Sequence, residues 1–328
     1  MEKKFNAEAQ GRGDTLRKMR LVFMGTPQAS VPTLRRLIAD GHDVVAVWTQ
    51  PDRPSGRGHK TTYSPVKAFA LEHNLTIHQP PRLKPDEVKS LFASHQAEVA
   101  IVVAYGRILP EDYLRAPKHG CINVHFSLLP HYRGAAPVNW AIVNGESESG
   151  VTTMFMEPSL DTGPILMQEK TPIGAHETAP ELMARLSESG AALLSTTLQR
   201  LPTLTPRPQH HSNATFAPIL NKEYGIIDWK KTAFEIDCAV RGFQPWPNAH
   251  TIFHSRGLTF WQTEVSPMEI PGPHPGEVIS AHGGDLIVQC GGETAIRILE
   301  LQPEAKRRMS ARDFLNGTHV KAGDRFGQ

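Results

Sequence analysis

The sequence predicts a doubly wound α/β domain with a mostly parallel, Rossmann-like sheet, followed by a smaller β-barrel domain of OB type. Three observations carry this expectation. Short, continuous apolar runs alternate with helical stretches as far as Leu201, the pattern of parallel strands covered on both faces. A polar segment containing Pro and His, without periodicity, follows at 203–213 and reads as a linker. Beyond it, short strands are separated by Gly and Pro, as in small barrels.

In chain order, residues 1–18 read as a polar extension, or as an upstream start codon, because the first strand-like run begins at Met19-Arg20-Leu21. The α/β domain spans 19–204. Its strands are expected at Leu21–Met24, Val44–Trp48, Val99–Val103, Cys121–Val124 and Val151–Met156, and its helices at Ser64–His73, Pro85–Ser94 and Pro180–Leu201. The first of these helices opens on a Ser-Pro start signal. A linker is placed at 205–221. The second domain, 222–328, has one helix candidate, Thr232–Arg241, and strands at Thr251–Phe253, Leu258–Trp261, Gly276–Ile279, Leu286–Cys290 and Ala295–Leu301.

Of the 328 residues, 39% are hydrophobic and 21% charged, which excludes a largely disordered chain and suffices for a substantial core. The net charge of +2 neither demands nor excludes a nucleic-acid partner. Three scattered cysteines, Cys121, Cys238 and Cys290, form no C-x-x-C pair, so a reducing cytosol is expected rather than a disulfide or zinc framework. No apolar stretch reads as a signal peptide or membrane span. A cytoplasmic monomer without a membrane partner is the expectation.

In an open parallel sheet, ligands sit at the carboxyl ends of the strands. Gly25-Thr26-Pro27 after the first strand is not a G-x-G-x-x-G fingerprint, and no P-loop lysine follows it, which argues against a dinucleotide or ATP. There is no G-x-S-x-G elbow and no H-E-x-x-H. The informative segment is 123–137, where Asn123 and His125 lie two apart at a strand end and so share one face. Asp161 follows the next strand. An amide donor, an imidazole and a carboxylate at neighbouring strand ends can serve acyl transfer: two stabilise an oxyanion, and the third holds the imidazole and takes a proton. The bland alternative is a capping Asn, a satisfied His and a turn Asp.

The run N-x-H-x-S-L-L-P from Asn123, then x-Y-R-G-A-A-P from His131 and L-D-T-G from Leu160, resembles the folate-dependent formyltransferases. Phe23–Pro27, Thr49–Gly58, Val103–Pro110, Arg241–Pro247 and Leu301–Met309 resemble the members that act on charged initiator tRNA, so the likeness covers nearly everything from Met19 onward. It implies that 10-formyltetrahydrofolate is a consumed cosubstrate and that methionyl-initiator tRNA is the acceptor, with no metal and no NAD. It also implies roles for three residues. Asn123 would hydrogen-bond the oxyanion, His125 would donate a second bond, and Asp161 would orient His125 and accept the amine proton.

By the same resemblance, Ser127, Leu128, Leu129 and Pro130 line the folate site beside the backbone of Ala104, Tyr105 and Gly106. For Leu128 and Leu129, composition alone favours ordinary core. Two basic stretches are candidates for tRNA phosphate: Arg53, Arg57 and Lys60 in a Gly- and Pro-containing loop, and Lys306, Arg307 and Arg308, with Arg312 near them. On charge alone each reads as solvated surface. From residue 221 onward, 12 Lys and Arg stand against 13 Asp and Glu, a net of −1, so resemblance rather than composition carries the RNA expectation. Phe126, His131 and Ala305 depart from the family's usual residues without touching the Asn–His–Asp set. Two other readings stand beside this one: a same-fold transferase or formyl-hydrolase acting on an amino sugar nucleotide or water, and a non-catalytic tRNA-binding protein.

Overall fold

The structure is a computed structural model and describes residues 17–55, 60–267 and 274–327. The extension placed at 1–18 thus falls almost wholly outside the described residues; Arg17 donates to Glu98 at 2.6 Å.

The first domain is built on a seven-stranded sheet. Its strands are β1 (Arg20–Gly25), β2 (Asp43–Trp48), β3 (Ile77–His78), β4 (Val99–Val103), β5 (Cys121–His125), β6 (Glu148–Phe155) and β7 (Ile165–Pro172). They lie in the order β7-β6-β5-β4-β1-β2-β3. All neighbours are parallel except β5–β6 and β6–β7, so the expected mostly parallel sheet is present. The antiparallel edge strand β7 reads weakly in sequence because its outer half, Gln168–Pro172, is polar and partly exposed.

Alternate residues of β1, β4 and β5 feed two cores. Leu21, Phe23, Ile101, Val103, Ile122 and Val124 pack with Leu34, Leu37, Leu186 and Leu194. These last four come from helices α1 (Val31–Ala39) and α6 (Ala179–Arg200). On the other face, Val22, Met24, Trp48, Val102 and Cys121 meet Phe92 and Tyr113, from α3 (Asp86–Ser94) and α4 (Glu111–Arg115). Helix α2 (Pro65–Glu72) begins where predicted, with the Ser64 hydroxyl accepting from Lys67 N at 3.1 Å, a cap that contributes about 1 kcal/mol. Among the described residues no helix is long and apolar enough to cross a membrane.

On that second face Trp48 is ringed by His78, His95, Phe92 and Tyr113. Trp48 Nε1 donates to His95 Nε2 at 3.3 Å, His78 Nε2 is buried without a partner, and His42 Nδ1 accepts from Met19 N at 3.2 Å. Burial holds all three imidazoles below the usual range; at His95, the nearby His78 and Arg20 add to the effect. The fold therefore favours their neutral forms. The stability they contribute is complete above the unfolded value of about 6.5 and is lost as pH falls below it through the folded values. Thermal unfolding is expected to show a falling midpoint from about pH 7 to about pH 5, and His78→Asn should flatten part of the fall. A flat profile in the parent would count against it.

The second domain forms an antiparallel sheet of β8 (His250–Phe253), β9 (Arg256–Ser266), β10 (Val278–His282), β11 (Asp285–Gln289), β12 (Ala295–Pro303) and β13 (Met309–Ser310). The order is β8-β9-β12-β11-β10, with β13 on β12. Helices α7 (Ala233–Gly242) and α8 (Ala311–Gly317) complete the domain. All five predicted strands appear. Among the described residues β8 and β10 are not paired, so the second domain is an antiparallel sheet around one core and not the closed ladder of the expected barrel. The domains meet where α7 packs on α5 (Pro137–Val143). There Asn139 Nδ2 donates to Gly242 O at 2.7 Å, and Arg241 to Glu177 O at 3.0 Å.

The segment 205–221 does not hang free as a linker. Arg207 and Ile165 exchange backbone hydrogen bonds at 2.8 Å, Gln209 is buried, and Phe216–Ala217 pairs in parallel with Arg133–Gly134. Its backbone groups find partners in the first domain, which aperiodic polar sequence does not reveal.

Candidate active site

The site lies where β5 ends between its neighbours. Asn123 sits opposite Val102 of β4 and Met154 of β6, and His125 opposite Thr152. Both are buried on the face of Cys121, while Val124 and Phe126 point into the helix-covered core. Phe126 is thus turned away from His125 and packs towards Gly190 of α6. Among the described residues nothing hydrogen-bonds the Asn123 side chain, yet neither of its polar atoms is sealed from solvent. Its amide is therefore available to a ligand.

Among the described residues His125 is hydrogen-bonded from one side only. Its Nε2 lies 2.9 Å from Tyr132 O; because a carbonyl can only accept, Nε2 carries the proton. Nδ1 faces Asp161 Oδ2 at 3.8 Å, close enough for ionic attraction but too long for a hydrogen bond. Tyr132 is fixed in turn: its amide donates to Thr215 Oγ1 at 2.9 Å and its hydroxyl to Glu146 at 2.6 Å. Burial, with Glu146 as acceptor, pushes that phenol up to about 12, so it stays protonated.

Asp161 lies at the end of an exposed turn after β6, with φ of 50°, the left-handed region that Asp tolerates better than most residues. Its Oδ2 accepts from Gly134 N at 2.8 Å. Two residues on, a Cβ at Gly163 would stand 1.9 Å from Phe155 O. That position admits only Gly, because the obstacle is backbone. Gly163→Ala should therefore lift the turn off β6, lowering stability by roughly 1–3 kcal/mol. Turnover should fall by as much as about 10²-fold, as for an ångström-scale misplacement. Denaturant unfolding and initial rates on the same preparation would check both, and unchanged rates would show that the turn tolerates displacement.

Beside this set runs the loop after β4. Ala104 and Gly106 have φ of 45° and 80° and are exposed, whereas the Tyr105 ring is buried. Tyr105 can thus present only backbone. Its carbonyl accepts from Thr26 Oγ1 at 3.2 Å and Gln50 Nε2 at 3.0 Å, which binds this loop to the end of β1. In the adjoining turn, Ser127 Oγ donates to His131 O at 2.6 Å. Leu129 is core with Met154 and Ile165, and Leu128 and Pro130 are half-buried at the rim. Exposed backbone at Ala104 and Gly106 and the half-buried Leu128 and Pro130 are groups of the kind that meet a flat heterocycle.

The two basic stretches lie in different domains. Arg53–Ser55 and Lys60–Thr62 are antiparallel strands, and Arg57 lies outside the described residues. Lys306 and Arg307 are exposed in the turn between β12 and β13. Arg308 is engaged by Glu300 and stacks 5.1 Å from the Trp261 ring, which leaves less of its charge for a phosphate. Burial raises all three thiols, Cys121 and Cys290 to about 12, so none is a ready nucleophile. Among the described residues no group of three His, Cys, Asp or Glu could hold a metal ion.

Two family models match the chain: formyl transferase over residues 19–198, and formyl transferase, C-terminal domain, over 219–319. A methionyl-tRNA formyltransferase of Alkaliphilus oremlandii is 44% identical, with the match covering 94% of this chain and 100% of that one. One from Caldanaerobacter subterraneus is 46% identical over 93% and 99%. Among solved structures, an N-formyltransferase from Helicobacter canadensis, in complex with folinic acid and dTDP-3-aminofucose, superposes with a TM-score of 0.65. It shares 21% identity over 85% of this chain and 98% of that one. HypX from Aquifex aeolicus, in complex with tetrahydrofolic acid, superposes with a TM-score of 0.61 at 16% identity over 93% and 48%.

Proposed function

The chain belongs to the formyl transferase family, and from that premise we propose that it moves the formyl group of 10-formyltetrahydrofolate onto the α-amine of methionyl-initiator tRNA. The observation that carries the chemistry is that buried Asn123 and His125 share one face of β5 and that Asp161, from the turn after β6, faces His125, while no described residue bonds the Asn123 amide. Near-complete relatives at 44% and 46% identity that bear the methionyl-tRNA formyltransferase name support this acceptor over an amino sugar nucleotide or water.

The geometry supports the following course. The methionyl amine attacks the formyl carbon, a C–N bond forms, and the carbonyl oxygen becomes negative. Asn123 donates to that oxygen. His125 has Nε2 committed to the Tyr132 carbonyl, so Nδ1, which faces Asp161, is the ring atom left for the reacting group. The incoming amine yields its proton to Asp161 directly or through water. When the tetrahedral species collapses, the bond from carbon to N10 breaks and N10 takes the proton that Asp161 received, passed on through His125 Nδ1 or water, which leaves tetrahydrofolate and restores the carboxylate. The 104–106 backbone and Ser127–Pro130 are proposed as the groups that meet the folate ring. Arg53, Arg57, Lys60, Lys306 and Arg307 are offered as phosphate contacts, with Arg308 in a lesser part. A monomer is sufficient for every step.

The test is formyl transfer from 10-formyltetrahydrofolate to methionine-charged initiator tRNA, with uncharged tRNA and an amino sugar nucleotide as controls. Formylation confined to the charged initiator is expected. Folate turnover without formylated tRNA would overturn the acceptor and keep the chemistry.

A further inference from the structure

We propose that Gln209, from the segment joining the two domains, is a positioning residue for Asp161; the proposal rests on the formyl-transfer reading above. Gln209 is 6% exposed and spends its whole side-chain amide on the site. Nε2 donates to Asp161 O at 2.9 Å and to Gly163 O at 2.7 Å, on either side of the Thr162 peptide. Oε1 accepts from Arg133 Nε at 3.1 Å and from Nη2 at 2.6 Å. The amide cannot be reversed, because its oxygen would then face two carbonyls and its NH2 a guanidinium.

Arg133 makes the arrangement specific. It is 4% exposed and has no carboxylate within ion-pairing distance among the described residues; its other side-chain partner is His211 Nδ1 at 3.1 Å. A buried guanidinium that lacks an anion must be met by neutral acceptors, and Gln209 Oε1 takes two of its N–H groups. The next residue, Gly134, donates its N–H to Asp161 Oδ2. Asp161 is thus gripped twice, at its carboxylate by the backbone after Arg133 and at its carbonyl by the Gln209 amide that Arg133 orients. The turn on the other side, Glu157–Leu160, is exposed, so these bonds determine where the carboxylate stands relative to His125. The 205–217 segment therefore acts as part of the catalytic framework.

The experiment compares the full chain with Gln209→Met, which keeps bulk and loses both hydrogen-bonding ends, and with Gln209→Glu, which keeps an acceptor for Arg133 but has no N–H for the carbonyls. With charged tRNA and 10-formyltetrahydrofolate, both variants are expected to lose roughly 10²-fold in kcat, the scale of an ångström misplacement, while KM for each substrate stays within about twofold. Affinity for 5-formyltetrahydrofolate, measured by titration, should match the parent and so report an intact fold. A crystal structure of either variant should show the Asp161–Gly134 hydrogen bond broken or the 157–163 turn displaced. Parental kcat, or a rise in KM alone, would overturn the proposal while leaving the formyl-transfer reading intact. Should the parent itself transfer no formyl group, that reading fails, and the variant structure decides the positioning: a turn that stays in place overturns it. If Gln209→Glu restores turnover that Gln209→Met loses, anchoring Arg133 is the requirement and the carbonyl clamp is overturned.

Discussion

Replacing Asp161 with Asn is expected to lower turnover by roughly 10²–10⁴-fold, the usual contribution of a positioned proton acceptor, with the fold intact. The reason lies in which bonds survive. Asp161 Oδ2 accepts from Gly134 N and is also the atom nearest His125 Nδ1. An Asn oxygen in that place keeps the Gly134 bond, and the Gln209 bond goes to the backbone carbonyl, so the turn stays anchored. Only the charge and the capacity to take a proton are removed. Single-turnover formylation of charged tRNA, read beside the unfolding midpoint, separates chemistry from stability. A near-parental rate would remove Asp161 from the mechanism.

Asn123→Ala is expected to reduce kcat by about 10²–10³-fold, the loss seen when one oxyanion donor is taken away. Stability should change little. Removing a hydrogen-bonded polar side chain ordinarily strands its partner at roughly 1–3 kcal/mol, but no described residue bonds the Asn123 side chain, so nothing is stranded. KM for both substrates should hold, since the developing negative charge exists only beyond the ground state. A variant that instead raised KM for the folate at parental kcat would make Asn123 a binding residue.

Part of the proposed site was legible because two of its members are local. Asn123 and His125 share a face by the two-residue period of a strand, and β5 is an apolar run that no helix pattern competes with. Asp161 follows the next strand, but that strand runs antiparallel to β5 and ends beside Ile122, so it is the turn after β6 that carries Asp161 back to His125. The groups that hold these residues were not legible. The Tyr132 carbonyl that fixes the His125 tautomer is backbone, which no side-chain motif encodes. Gln209 stands in a stretch whose Pro, His and Ser content speaks of loop, and its burial comes from partners 76 and 48 residues away. The basic hairpin read as a loop because Arg53–Ser55 and Lys60–Thr62 are too short and polar to announce strands.

The sequence by itself determined the alternation of apolar runs and helices, hence the parallel sheet. It also determined the Gly- and Pro-punctuated second domain and singled out the three side chains proposed to react. All of these depend on interactions within a few residues or on the period of one element. Tertiary structure alone decided that β7 turns antiparallel at the sheet's edge, that 205–217 is strapped to the first domain, and that Asp161 is held by Gly134 and Gln209. Those outcomes depend on which distant backbone groups satisfy one another once buried, and a buried hydrogen bond has no signature in the spacing of the residues that make it.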